Sequence, residues 1–274
     1  MGRKNFFERI EQDLNVQNEY EKLETIVFKY TNYSKRSLND EIESHFDSWK
    51  YKKNFLSFDE LRLHLGFTYT KTWDYSFDAK IKSIDDFFVY CEMILNMMLV
   101  VLPEEVQIRN KNIIEKILHI INYDLEALNF TIGKMSDDQY IIVQKNAAVS
   151  EVVELVEPLL ANSILEYNHY VLKGDLNKKK NMLVKIANAL EPKRHEINEI
   201  NKQLCSDYFY LINNMNIRHN NCDKTDESKY NEKFDKLQSE EKEEWYDDIF
   251  QMSLLIFLLL ENKKNSSKIK HFKQ

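Results

Sequence analysis

The chain has 274 residues, a net charge of −7 from 45 acidic and 38 basic side chains mixed along it, and only four glycines and three prolines. That length can bury the core of one large domain or two ordinary ones, while so few turn-forming residues exclude all-β and doubly wound α/β architectures and leave an all-α, helical-bundle protein. The overall acidity gives no whole-molecule footprint for nucleic acid.

Three cysteines, Cys91, Cys205 and Cys222, form neither close pairs nor a zinc spacing, which points to reduced thiols in a cytoplasmic protein with no metal or other cofactor. The chain starts on charged amphipathic sequence, and its longest apolar run, residues 254–260, is too short to cross a bilayer, so neither secretion nor a membrane partner is expected.

Two short amphipathic helices are predicted within residues 5–33, the second carrying Tyr20, Leu23, Ile26, Val27 and Tyr30 at helical spacing. Residues 38–78 are aromatic and irregular, with Phe46, Trp49, Tyr51, Phe55, Phe67, Tyr69, Trp73 and Tyr75. Such rings can stack on the bases of a single strand; the plainer expectation is that they pack a helical domain. Ser83 and Asp86 form a capping pattern for an apolar helix that runs to Val101 and stops before Pro103. A second long helix is predicted over 104–128, with Ile108, Ile113, Ile114, Ile117, Leu118, Ile121 and Leu125 as its buried stripe.

Between 128 and 144 the period changes to alternation, which predicts one β-hairpin, the only sheet expected. It opens the second of two domains, 128–274, after an N-terminal helical domain of 1–127. Asn146 caps a helix with Val149, Val152, Val153 and Val156 on one side, Pro158 interrupts or kinks it, and a new helix is predicted over 159–172. Gly174 suits a left-handed helix end, Asp175 caps a helix over 176–190, and Pro192 opens a long helix ending at residues 213–221. A polar, flexible loop follows from 222 to 239. Ser239 then caps a last helix whose Trp245, Ile249, Met252, Ile256 and Leu259 call for a partner helix or a second subunit. The tail carries Lys263, Lys264, Lys268, Lys270, His271 and Lys273, which either touch phosphates or are simply solvated.

No phosphate-cradling glycine loop, nucleophile elbow or zinc-protease helix is present. The densest polar group is Asn213, Asn214, Asn216, Arg218, His219, Asn220 and Asn221. Metal-independent RNA cleavage needs a proton acceptor for the 2′-hydroxyl and a cation facing the developing charge. Here His219 fits the first role and Arg218 the second, with Asn214 or Asn220 orienting the phosphate. Neighbouring helical positions point about 100° apart, so Arg218 and His219 meet one phosphate only if the helix ends there or a dimer supplies a partner. The structural alternative is a helix C-terminus, with both cations on the negative dipole end and Asn220 or Asn221 in the left-handed cap.

His169 either joins this site or packs. Asp247, on the returning last helix, either tethers Arg218 and orients His219 or belongs to a solvated helix start. From Ile197 to Arg218 the helix runs about six turns, roughly 30 Å, so Arg194 is not expected to reach Arg218 within one chain.

At these residues the stretch from about 166 to 261, a third of the chain, is similar to helical domains of the HEPN superfamily found in abortive-infection and toxin–antitoxin proteins. It shares a long helix ending in an Arg/Asn/His-rich segment, a polar loop and an apolar helix. The resemblance implies a helical bundle that is often a homodimer. For active members it implies a metal-independent endoribonuclease acting on host RNA during phage infection, with Arg218 as the matching arginine, Asn220 or Asn214 as its polar companion and His219 as the base. Inactive relatives imply a binding or regulatory module with a protein partner, such as an antitoxin, or RNA.

Overall fold

The computed structural model describes residues 14–71 and 75–273, with the backbone alone at 267, 270 and 271. The first expected helix, before residue 14, as well as Trp73 and the side chains of Lys270 and His271, lie outside the described residues. Among the described residues the fold is mainly α-helical with two small antiparallel strand pairs. The chain divides into two compact units, Met1–Lys134 with Asp138–Ile142, and Met135–Asp137 with Val143–Gln274. The division falls inside the hairpin, so its first strand and Tyr140–Ile142 of its second belong to the first unit.

In unit 1, α1 (Val16–Lys29), α2 (Leu38–His45) and α3 (Phe58–Leu65) start at Asn15, Ser37 and Ser57, whose side chains each accept a hydrogen bond from a first-turn N–H. α4 (Ile84–Asn96) opens on the expected Ser83–Asp86 capping box and continues as a π-helical turn, Met97–Val101. The aromatic stretch packs, as the plainer reading expects: Phe46, Phe58 and Phe67 are buried. It is not wholly irregular, because β1 (Tyr69–Lys71) and β2 (Tyr75–Phe77) form a second hairpin that corrects the expectation of a single sheet. Strands of three residues are too short to show a period-two pattern in sequence. Phe28 of α1 sits 4.5 Å from the Tyr69 ring and 4.8 Å from that of Tyr75, which fixes this hairpin on α1.

Two buried charge clusters organise the unit. Glu24 and Arg62 are both fully buried and ion-paired, Tyr90 donates to Glu24 at 2.6 Å, and the Arg62 guanidinium lies 5.0 Å from the Phe28 ring centre. Glu41, also fully buried, is 2.9 Å from Arg109 and accepts from Asn32 at 3.0 Å.

The helix expected over 104–128 is two helices, α5 (Glu104–Arg109) and α6 (Lys111–Ala127). Between them the buried Asn110 donates to the Val106 carbonyl at 2.8 Å and accepts from Asn32 at 3.1 Å. Such side-chain bonding competes with the helix ladder, and it turns Ile108, expected in the buried stripe, out to solvent. The hairpin β3 (Phe130–Lys134) and β4 (Tyr140–Gln144) lies where expected. Asn96 makes a strand-like pair of bonds with the Tyr140 backbone, at 2.7 and 3.0 Å, and Glu92 accepts from the Ile142 N–H.

In unit 2, Asn146 caps α7 (Ala147–Leu155), and Pro158 begins α8 (Pro158–Tyr167) rather than kinking a continuous helix. α9 (Leu176–Leu190) follows Gly174, at φ +80°, and its cap Asp175, both as expected. The long helix expected from Pro192 is broken. α10 (Arg194–Ile200) stops at Asn201, whose extended backbone and side chain then cap α11 (Lys202–Asn214). After the short α12 (Glu232–Asp235) comes α13 (Ser239–Phe272).

α13 buries Tyr246, Ile249, Phe250, Leu254, Ile256, Phe257 and Leu260 against helices of its own unit, chiefly α7 and α9. This face is wider than the expected stripe, and Trp245, placed in that stripe, lies at its edge with 37 % exposure. No helix among the described residues is long and apolar enough to cross a membrane.

Candidate functional site

The Arg/Asn/His segment starts where α11 ends. Asn216, not Asn220 or Asn221, takes the left-handed conformation, at φ +56°, and the Arg218 N–H returns to the Ile212 carbonyl at 3.1 Å. These are the bonds of a helix end closing on itself. Asn221 is buried and holds the turn together. Its Oδ1 accepts from the Asn216 N–H at 2.8 Å, its Nδ2 donates to the Lys229 carbonyl at 2.6 Å, and its carbonyl accepts from the Asn231 N–H at 2.8 Å.

Asn231 in turn donates to the Asn214 carbonyl at 2.9 Å and caps α12 through Phe234, which is buried. The loop read as flexible is therefore stitched to the end of α11. Asn214 uses its own side chain on the Tyr210 carbonyl at 2.8 Å.

Arg218 is 28 % exposed, and its Nη1 donates to Glu191 Oε2 at 2.7 Å. The other carboxylate oxygen of Glu191 lies 3.6 Å from Arg194. Arg194 and Arg218 thus reach one carboxylate, against the expectation that they stay apart, because the break at Asn201 folds α11 back beside α10. His219 follows Arg218, half-exposed and without a side-chain hydrogen bond among the described residues, and Asn220 is exposed.

The other two candidates sit in different surroundings. His169 pairs with Val143 in an isolated bridge, and its ring meets Tyr170 edge-on at 4.6 Å. Asp247 accepts from the Tyr167 hydroxyl at 2.7 Å and pairs with Lys179 at 2.6 Å, so it does not tether Arg218, while its side chain stays half-exposed. Lys179, buried, also reaches Glu243 at 2.8 Å. Burial pushes the Tyr167 hydroxyl well above its ordinary range, with the Asp247 charge adding to it. Burial also pushes Glu243 up, but the Gly174 N–H and Lys179 outweigh it and hold Glu243 below its usual value.

Four polar residues described at these sites were not singled out from sequence: Glu191, Lys179, Asn231 and Glu243. Lys179 alone carried a signal. It falls on the α9 stripe with Leu183, Ile186, Ala187 and Leu190, so it had to be buried and therefore paired.

Among the described residues no group of three or more His, Cys, Asp or Glu side chains is placed to hold a metal ion. A surface groove of about 510 Å³ between α1 and α6, lined by Asn18, Glu21, Lys22, Thr25, Tyr30 and Lys116 among others, includes none of the candidate residues. No family model, no curated protein and no solved structure matches this chain.

Proposed function

We propose that this protein acts by binding, as a cytoplasmic helical regulatory module that does not cut its partner, and that residues 213–221 are a folding joint. The observation that carries this reading is how the segment spends its polar groups. Arg218 is neutralised by Glu191 at 2.7 Å, while the side chains of Asn214, Asn221 and Asn231 are bonded to backbone groups. An arginine held by a carboxylate offers a phosphate less charge, and asparagines that complete the backbone have fewer groups left to orient a substrate. The partner in this reading is a protein, such as an antitoxin, or an RNA. The homodimer that the resemblance implies is measured by light scattering.

One observation favours a second reading, the metal-independent endoribonuclease of a phage-defence or toxin–antitoxin system. His219 is half-exposed, has no partner among the described residues and follows Arg218 directly, as a proton-transfer group beside a cation would. Incubating the purified chain with total bacterial RNA in EDTA separates the two. The binding reading expects RNA to stay intact with the wild type and with His219→Ala alike; cleavage by the wild type that His219→Ala abolishes establishes the nuclease.

A further inference from the structure

Much of the α13 stripe expected to meet a partner is spent inside unit 2, where Ile249 and Ile256 are buried. A neighbouring stripe of the same helix is not. Leu255, Leu258, Asn262, Asn265, Ile269 and Phe272 follow one another at alternating spacings of three and four, the a and d pattern of a coiled coil. Leu255 is 47 % exposed, Ile269 53 % and Phe272 91 %, Leu258 is half-buried, and both asparagines are exposed. Single exposed apolar side chains are ordinary on a protein surface, but here they keep heptad register along one face of one helix.

α13 also outruns its own unit. Its last buried residue is Leu260, and the helix continues to Phe272, roughly three more turns. Lys263 pairs with Glu199 at 2.7 Å, and past it every described side chain is exposed. A helix draws most of its stability in water from packing an apolar face, and none of the described residues of unit 2 buries this one.

Two copies of the stripe are complementary to each other. When two α13 helices run antiparallel about a two-fold axis between positions 263 and 264, Leu255 of one copy meets Phe272 of the other, Leu258 meets Ile269, and Asn262 meets Asn265. Apolar side chains then face apolar ones, and the amides, which both donate and accept, face amides. A slip of one heptad would set the asparagines against leucines, so they fix the register.

Charge selects the direction. Glu261 and Lys268 border the stripe on one side, Ser266 and Lys273 on the other. In the antiparallel pair Glu261 of each copy lies beside Lys268 of the other, giving two opposite-charge contacts. A parallel pair would instead place Lys268 of each copy beside Lys273 of the other, giving two like-charge contacts.

We infer that the occupant of this face is a second copy of the chain, and that residues 255–272 form an antiparallel two-stranded coiled coil. The inference goes beyond the binding reading, because residues 213–221 take no part in the interface and the dimer stands or falls independently of their role.

Light scattering on the full-length chain over a concentration series tests it. The wild type should reach the mass of a dimer, and Ile269→Asp/Phe272→Asp should remain a monomer. Both substitutions fall on exposed positions, so the variant should still unfold cooperatively in urea, which separates loss of the interface from loss of the fold. Glu261→Lys should raise the dimer Kd about tenfold, and adding Lys268→Glu should restore it. A wild type that stays monomeric or forms a larger assembly, a dimer that survives the double aspartate change, or a Glu261→Lys defect that Lys268→Glu does not rescue overturns the proposal.

Discussion

Replacing Arg62 with alanine should destabilise unit 1 by about 3–5 kcal/mol, the usual cost of leaving one member of a buried ion pair without its partner. Arg62 is 1 % exposed and Glu24 fully buried, and the carboxylate that loses the guanidinium keeps only hydroxyl donors, Tyr90 at 2.6 Å and Tyr20 at 3.4 Å. The guanidinium is also enclosed by the rings of Phe28, Phe58 and Tyr69, at 5.0, 5.4 and 5.5 Å, so the loss includes cation–π and packing terms. Urea unfolding measures it. The paired change Arg62→Met with Glu24→Leu should be much milder than Arg62→Ala, because it removes the buried charge together with its partner. A double variant as unstable as the single one would show that shape rather than charge governs the cluster.

Asp124 makes stability depend on pH in an unusual direction. It is 1 % exposed on α6, and its Oδ2 has no hydrogen-bond partner among the described residues. Burial, with the Glu19 charge adding to it and Lys22 opposing it, pushes its carboxyl up to about 7 from an ordinary value of 3.8. The folded state therefore binds a proton that the unfolded state has released, and stability falls as pH rises from about 4 to about 7, then levels off. At 1.36 kcal/mol per unit, a span of about three units corresponds to roughly 4 kcal/mol. Urea midpoints at pH 5 and pH 8 should show the wild type losing stability toward pH 8 and Asp124→Asn flattening that slope. A wild type that gains stability over this interval would contradict the assignment.

The sequence legibly marked the local signals: the caps at Ser83, Asn146 and Asp175, the left-handed Gly174 and the hairpin at 130–144. It misled where an asparagine side chain interrupted a helix that apolar spacing alone would continue. Asn110 and Asn201 both do so, one through a bond to Asn32, 78 positions away in the chain, the other through its own capping bond to Leu204.

The segment at 213–221 shows the same limit. Its excess of asparagines was visible, but their use depends on Lys229 and Asn231 in a loop that composition marked only as polar. Neither the Glu191 partner of Arg218 nor the Lys179 partner of Asp247 could be read off, since each pairing depends on how helices fold back.

The claim that residues 213–221 are a joint is tested most directly by thermal melts of Asn221→Ala and His219→Ala side by side. Asn221→Ala leaves the Asn216 N–H and the Lys229 carbonyl without their partner. The expected loss is about 2–3 kcal/mol, or roughly 5–10 °C, whereas His219→Ala should melt within about 1 °C of the wild type. An Asn221→Ala protein that melts with the wild type would contradict the claim and return the segment to a role in chemistry.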